Sequence, residues 1–144
     1  LLLYFTSTSR ESATIIKEQQ KNVLQKNEKS IEAMHQLKEQ ARMMKEALLK
    51  GRLHEIGEIL DYGFQQKRNM AKNISNDAID SLYEAVKQSG ATGGKISGAG
   101  GGGFMIFYCP GNTRFRVMET LNKFGGEVKP YRFTKEGLRT WTAQ

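Results

Sequence analysis

Apolar residues fall in short runs and in helical steps along this chain, and the period changes part-way. Residues 1–6 are an apolar run ended by a Thr/Ser cluster, the pattern of a short buried strand. From 11 to 50, Ile16, Val23, Ile31, Met34, Leu37, Ala41, Met44 and Leu48 recur at helical spacing, with Asn27 as one polar step. That predicts one long helix with a single apolar stripe. Gly51 interrupts it, and Leu53, Ile56, Leu60 and Phe64 restart it, so a helical hairpin is expected. Ser75 or Asn76 caps a third helix, with Asp77 and Asp80 in its first turn, where the helix dipole favours negative charge. Ile79, Leu82, Tyr83 and Val86 give that helix its buried face, and Gly90 ends it.

Beyond Gly90 the period shortens. Residues 92–96 read as a strand, 97–103 as a glycine loop and 104–108 (FMIFY) as a second, fully apolar strand, together a hairpin with a wide connection. Asn112 caps a helix carrying Val117, Met118, Leu121 and Phe124, stopped by Gly125 and Gly126. Residues 127–133 read as a last strand, and 134–140 as a terminal helical turn. The order predicts an α+β chain of one domain, 1–144, with a ferredoxin-like (β-α-β-β-α-β) antiparallel sheet and extra helices in the first crossover.

Composition narrows the class. At 38% hydrophobic and 26% charged residues the chain has the balance of a folded globular protein, and no apolar run approaches the ~18 residues of a membrane helix. Cys109 is alone, so no internal disulfide forms, and the cytoplasm is the expected compartment. The net charge of +7 is uneven: residues 91–144 hold eight basic and three acidic side chains. The excess around and after the glycine loop suits an anionic ligand; it also suits nucleic acid.

The sharpest feature is KISGAGGGGF at 95–104. Glycine loses more backbone entropy on folding than any other residue, so five glycines in seven positions need a reason. The reason is positive φ, close approach of backbone to another group, or an anion nest of inward N–H groups. Three named glycine motifs fail on context. Gly98 to Gly103 match G-x-G-x-x-G, but a strand follows where the dinucleotide fingerprint needs a helix. The P-loop pattern would need Gly at Ser89 and Ser or Thr at Ile96. The protein-kinase loop would need H-R-D and D-F-G motifs downstream, and neither occurs.

GGKISGAGGGGF, at 93–104 between a helix and an apolar strand, resembles the third conserved motif of the GHMP kinases, which include galactokinase, homoserine kinase, mevalonate kinase and phosphomevalonate kinase. The opening LLLYFTSTSR, the helix at 80–91 and the closing Tyr131 and Phe133 resemble the bacterial sugar-kinase branch, nearest to D-glycero-D-manno-heptose 7-phosphate kinases and then fucokinase-like enzymes. The resemblance implies the C-terminal domain of an ATP-dependent sugar or sugar-phosphate kinase using ATP and Mg²⁺. The N-terminal kinase domain, which supplies the nucleotide loop, the metal ligands and the catalytic Asp, is the implied partner, so this chain holds no catalytic or metal residue of its own. It also implies that Gly98, Ala99, Gly100, Gly101, Gly102 and Gly103 frame the phosphate site through backbone N–H groups.

Three side chains are candidates to touch substrate: Lys95 as a point charge for phosphate, Ser97 for a hydroxyl or phosphate, and Arg10 for a substrate phosphate. The bland alternatives are a solvated strand lysine, a turn serine and a surface arginine. His35 and His54, nineteen residues apart with no cysteine or paired carboxylate at ligand spacing, read as surface histidines, and Trp141 as a packing anchor. The competing functional reading is a non-catalytic ferredoxin-like module that binds nucleic acid or another protein. Few exposed aromatics for base stacking make nucleic acid the weaker partner.

Overall fold

A computed structural model describes residues 1–8 and 12–142. The elements are β1 (Leu2–Phe5), α1 (Ser12–Leu24), α2 (Glu28–Leu49), α3 (Ile56–Arg68), α4 (Asp77–Gln88), β2 (Gly93–Ile96), β3 (Phe104–Tyr108), α5 (Arg114–Asn122) and β4 (Glu127–Lys129). Among the described residues the four strands form one antiparallel sheet in the order β2-β3-β1-β4, accompanied by five α-helices.

Strand alternation sets the core. Leu2, Tyr4, Ile96, Met105 and Phe107 point to one face and are fully buried there. Ile79, Leu82, Tyr83 and Val86 of α4, Val117 and Leu121 of α5, and Phe64 of α3 cover them. The opposite face carries Leu3, Phe5, Phe104 and Ile106, with the Phe5 and Phe104 rings 5.1 Å apart. FMIFY is therefore not buried on both sides: Phe104 is exposed, and Ile106 and Tyr108 are half-buried. Downstream of β4 the chain crosses this face, where Tyr131 donates to the Leu1 carbonyl at 3.1 Å and stacks edge-on with Phe133.

The expected long helix is two helices. α1 ends with Lys26 at φ +54 and with Asn27 N–H returned to the Asn22 carbonyl at 2.9 Å. Asn27 then caps α2, accepting from Ser30 N–H at 3.0 Å. The predicted stripe is mostly at the surface, with Ile16, Val23, Met34 and Leu48 exposed. The buried positions are Ile15, Ser30, Ala33 and Ala47. Small residues let α2 lie close to α3, where Gln40 packs over Gly63 and donates to the Ile59 carbonyl at 3.0 Å. Gly90 does end the third helix. The fourth begins beside Thr113 rather than Asn112. The last strand stops at Lys129 before Pro130, and residues 134–140 form no helix.

α3 runs alongside the edge strand β2 in the same direction. Gly57 faces Thr92, the Gly57 carbonyl and Asp61 face Gly93, and Lys67 reaches Gly98. The Tyr83 hydroxyl closes that edge. It donates to Asp61 at 2.6 Å, accepts from Gly94 N–H at 3.0 Å and lies 3.2 Å from the Gly94 carbonyl. Burial first, then Asp61, pushes its phenol above the ordinary range.

Candidate functional site

The glycine loop, residues 97–103, joins β2 to β3 and is closed at its base by Ser97 N–H donating to the Phe104 carbonyl at 2.8 Å. All five of its glycines have positive φ, from +76° at Gly101 to +141° at Gly102. Its back rests on two other segments. Gly101 N–H donates to the Ile74 carbonyl and Gly103 N–H to the Thr8 carbonyl, each at 2.8 Å. A Cβ on Gly102 would lie 2.5 Å from the Thr8 oxygen, and one on Gly100 would lie 2.8 Å from Ile74 Cα. Close packing thus explains part of the glycine density. Gly98 is exposed and its Cβ direction is open. Among the described residues, the N–H groups of Gly98, Ala99, Gly100 and Gly102 find no hydrogen-bond acceptor; Gly98 is exposed, Ala99 half-buried, and Gly100 and Gly102 buried.

The surroundings hold the loop firmly. Ala99 packs on a small cluster of Ile15, Ala71 and Ile74, so α1 lies beneath it. α1 and α2 are tied down in turn, with Asn22 of α1 and Ser30 of α2 donating to the Met70 carbonyl at 2.8 and 3.0 Å. On one side of the loop a cleft is lined by Thr6, Thr8, Asn76, Asp77, Ile79 and Gly101. Asn76 caps α4 there by accepting from Ile79 N–H at 3.0 Å. On the other side are two lysines. Lys95 projects from β2, half-buried, and Lys67 on α3 donates to the Gly98 carbonyl. Burial, then the charge of Lys95, lowers Lys67 to about 8.

Of the sequence-derived candidates, Lys95, Ser97 and the six residues from Gly98 to Gly103 therefore lie together at one end of the sheet. Arg10 lies outside the described residues. His35 and His54 are exposed on separate elements, and Trp141 is exposed rather than a packing anchor. Lys67, Thr6, Thr8 and Asn76 were not expected at the site. No local pattern marks Lys67; the packing of α3 along β2, at Gly57 and Gly93, brings it there. Among the described residues no group of three or more His, Cys, Asp or Glu side chains is placed to hold a metal ion.

The family model for the GHMP kinase C-terminal domain matches residues 44–127, which contain α3, α4, the glycine loop and α5. The chain belongs to the GHMP kinase C-terminal family. It is 38% identical to the D-glycero-alpha-D-manno-heptose 7-phosphate kinase of Campylobacter jejuni, over 97% of this chain and 41% of that enzyme. It is 29% identical to the mevalonate kinase of Pyrococcus horikoshii, over 93% of this chain and 40% of that protein. A solved structure of a proposed sugar kinase from Campylobacter jejuni superposes with a TM-score of 0.63 at 35% identity, covering 97% of this chain and 38% of that one. Mevalonate kinase from L. major shares the fold with a TM-score of 0.76 at 20% identity, covering 85% of this chain and 37% of its own. This GHMP-family chain thus spans about two fifths of the length of these two curated relatives.

Proposed function

We propose that this chain is the C-terminal domain, residues 1–144, of an ATP-dependent sugar-phosphate kinase whose acceptor is the anomeric hydroxyl of D-glycero-D-manno-heptose 7-phosphate. The observation that carries the reading is 38% identity to a heptose 7-phosphate kinase sustained over 97% of the chain. The strand order β2-β3-β1-β4 within a β-α-β-β-α-β chain supports the ferredoxin-like assignment. The N–H groups of Gly98, Ala99, Gly100 and Gly102, which find no acceptor among the described residues, support a phosphate-framing role for the loop, because phosphoryl transfer depends mainly on positioning and charge stabilisation. Lys95 and Ser97 stand beside those groups as substrate contacts. Arg10 belongs to the same proposal on its sequence position alone. In this reading the family resemblance assigns Mg²⁺ and the catalytic base to an N-terminal kinase domain, the proposed partner. No described helix is long and apolar enough to cross a membrane, and a single cysteine accords with a cytoplasmic enzyme.

The test is phosphoryl transfer by the full-length polypeptide carrying this chain, with ATP and Mg²⁺, to heptose 7-phosphate, fucose, galactose and mevalonate. Turnover on heptose 7-phosphate is expected. Gly98→Ala should lower kcat/KM at least tenfold while the protein stays folded, because the added methyl enters open space at the front of the loop and its backbone strain is only about 1–2 kcal/mol. No turnover on any of the four sinks the kinase reading. An unaffected Gly98→Ala variant returns the loop to a packing role.

A further inference from the structure

Lys67 and Lys95 belong to different elements, and the packing of α3 on β2 brings them together. Gly93 and Lys95 are two residues apart on one strand and so point to the same face of the sheet. The space beyond Gly93 is filled by α3, at the Gly57 carbonyl and the Asp61 side chain. Lys95 therefore faces the later turns of α3, where Lys67 donates to the Gly98 carbonyl. An ammonium group has three donors, so two on Lys67 are left over.

Neither lysine has a carboxylate partner among the described residues. The acids of α3, and Asp80 of α4, are engaged elsewhere or distant. Asp61 pairs with Lys87 at 3.1 Å and accepts from Tyr83. Asp80 of α4 pairs with Arg68 and accepts from Ser75. Glu58 is nine residues before Lys67 on α3, about 14 Å along the helix axis. Two half-buried like charges without a counter-ion repel each other and are poorly solvated, and a bound anion relieves both costs. The depressed proton affinity of Lys67 has the same two origins.

We propose that Lys67 and Lys95 form a phosphate-binding subsite beside the glycine loop, taking a phosphate group with two negative charges. The ligand's identity rests on the kinase reading above, whereas the binding itself does not. In that reading the group is the acceptor's own phosphate or a phosphate of the nucleotide; both present the same chemistry to two ammonium groups.

The experiment uses the full-length polypeptide carrying this chain, with Lys67→Gln, Lys95→Gln, Lys67→Arg and, as a control for general charge, the exposed Lys123→Gln. Inorganic phosphate and pyrophosphate are titrated by calorimetry, independently of turnover. Each glutamine variant at Lys67 or Lys95 should weaken phosphate binding about tenfold or more, the scale of one charge-assisted hydrogen bond. Lys67→Arg should retain most of the affinity, and Lys123→Gln should change it less than twofold. Glutamine removes repulsion and keeps a donor for the Gly98 carbonyl, so unchanged thermal midpoints are expected. In steady-state kinetics, a KM raised for heptose 7-phosphate alone assigns the subsite to the acceptor, and one raised for ATP alone assigns it to the nucleotide. Phosphate binding lost with the lysines in a protein that phosphorylates nothing on the panel keeps the subsite and rejects the kinase. An active kinase whose phosphate affinity and KM values ignore both lysines rejects the subsite and keeps the kinase. A wild-type protein that binds neither anion also overturns the proposal.

Discussion

Single residues carry unequal weight here, and Tyr83 carries more than its place in a helix suggests. Its hydroxyl serves the backbone of Gly94 and the carboxylate of Asp61 while its ring stacks on Phe64 at 4.8 Å and Phe107 at 5.9 Å. Tyr83→Phe keeps the ring and leaves a buried amide unpaired, which costs about 1–3 kcal/mol in urea unfolding. The pH dependence has a definite sign. Burial raises the folded-state pKa, so the neutral phenol's contribution is complete below the unfolded value of about 10 and is lost as pH rises beyond it. Stability measured from pH 9 to 11 should therefore fall more steeply for wild type than for Tyr83→Phe. At this scale the glycine loop and the helix signals around Asn76 were legible, because each rests on neighbours in sequence. Lys67 was not, because Gly98 is 31 residues away and only tertiary packing joins them.

Elements were legible where their period was unbroken. α4, β2 and β3 lie within a residue of the expected bounds, since their apolar faces and their glycine or asparagine ends agree. The α1–α2 pair was misread for a physical reason. Asn27 fits the pattern as a polar step of one helix, whereas it caps a second. The face that meets α3 is also built from serine and alanine, which hydrophobic counting overlooks. Close helix approach explains those small residues. A methyl at Gly63 would sit 2.2 Å from the Gln40 amide and displace it from the Ile59 carbonyl. Gly63→Ala should cost about 1 kcal/mol in chemical denaturation, the loss of one hydrogen bond. In a Gln40→Ala background the same change should be nearly neutral or stabilising, because alanine favours the helix. Equal effects in both backgrounds would show that Gln40 is not what limits the site.

At the scale of the whole molecule, membership of the GHMP family accounts for the sheet, its helices and the loop together. The surface has a further property. Leu24, Leu49, Phe115, Phe133, Leu138 and Trp141 are each more than 70% exposed, and the apolar groove between α1 and α2 adds Ile16, Val23 and Met34. Single exposed apolar residues are ordinary, but this many on 144 residues favour association. The 144-residue chain expressed alone should bind a hydrophobic dye and sediment faster as its concentration rises, with both effects weaker when the proposed N-terminal domain is present. Dye binding that is equal in the two would show that the proposed domain leaves these residues uncovered. The whole-molecule architecture was legible in outline because the strand and helix order constrains antiparallel pairing tightly. The register was not, because it follows from contacts between strands a hundred residues apart.

The closed edge of β2 bears on whether the sheet can recruit strands from other copies. A sheet recruits foreign strands through unpaired N–H and C=O groups along its borders. Here the Tyr83 hydroxyl and the α3 helix occupy one border, leaving β4 as the other. β4 has only three residues, carries Glu127 and Lys129 and runs into Pro130, which has no N–H to offer. Neither border offers a long run of unpaired groups, so strand addition at the β2 edge requires α3 to come away first.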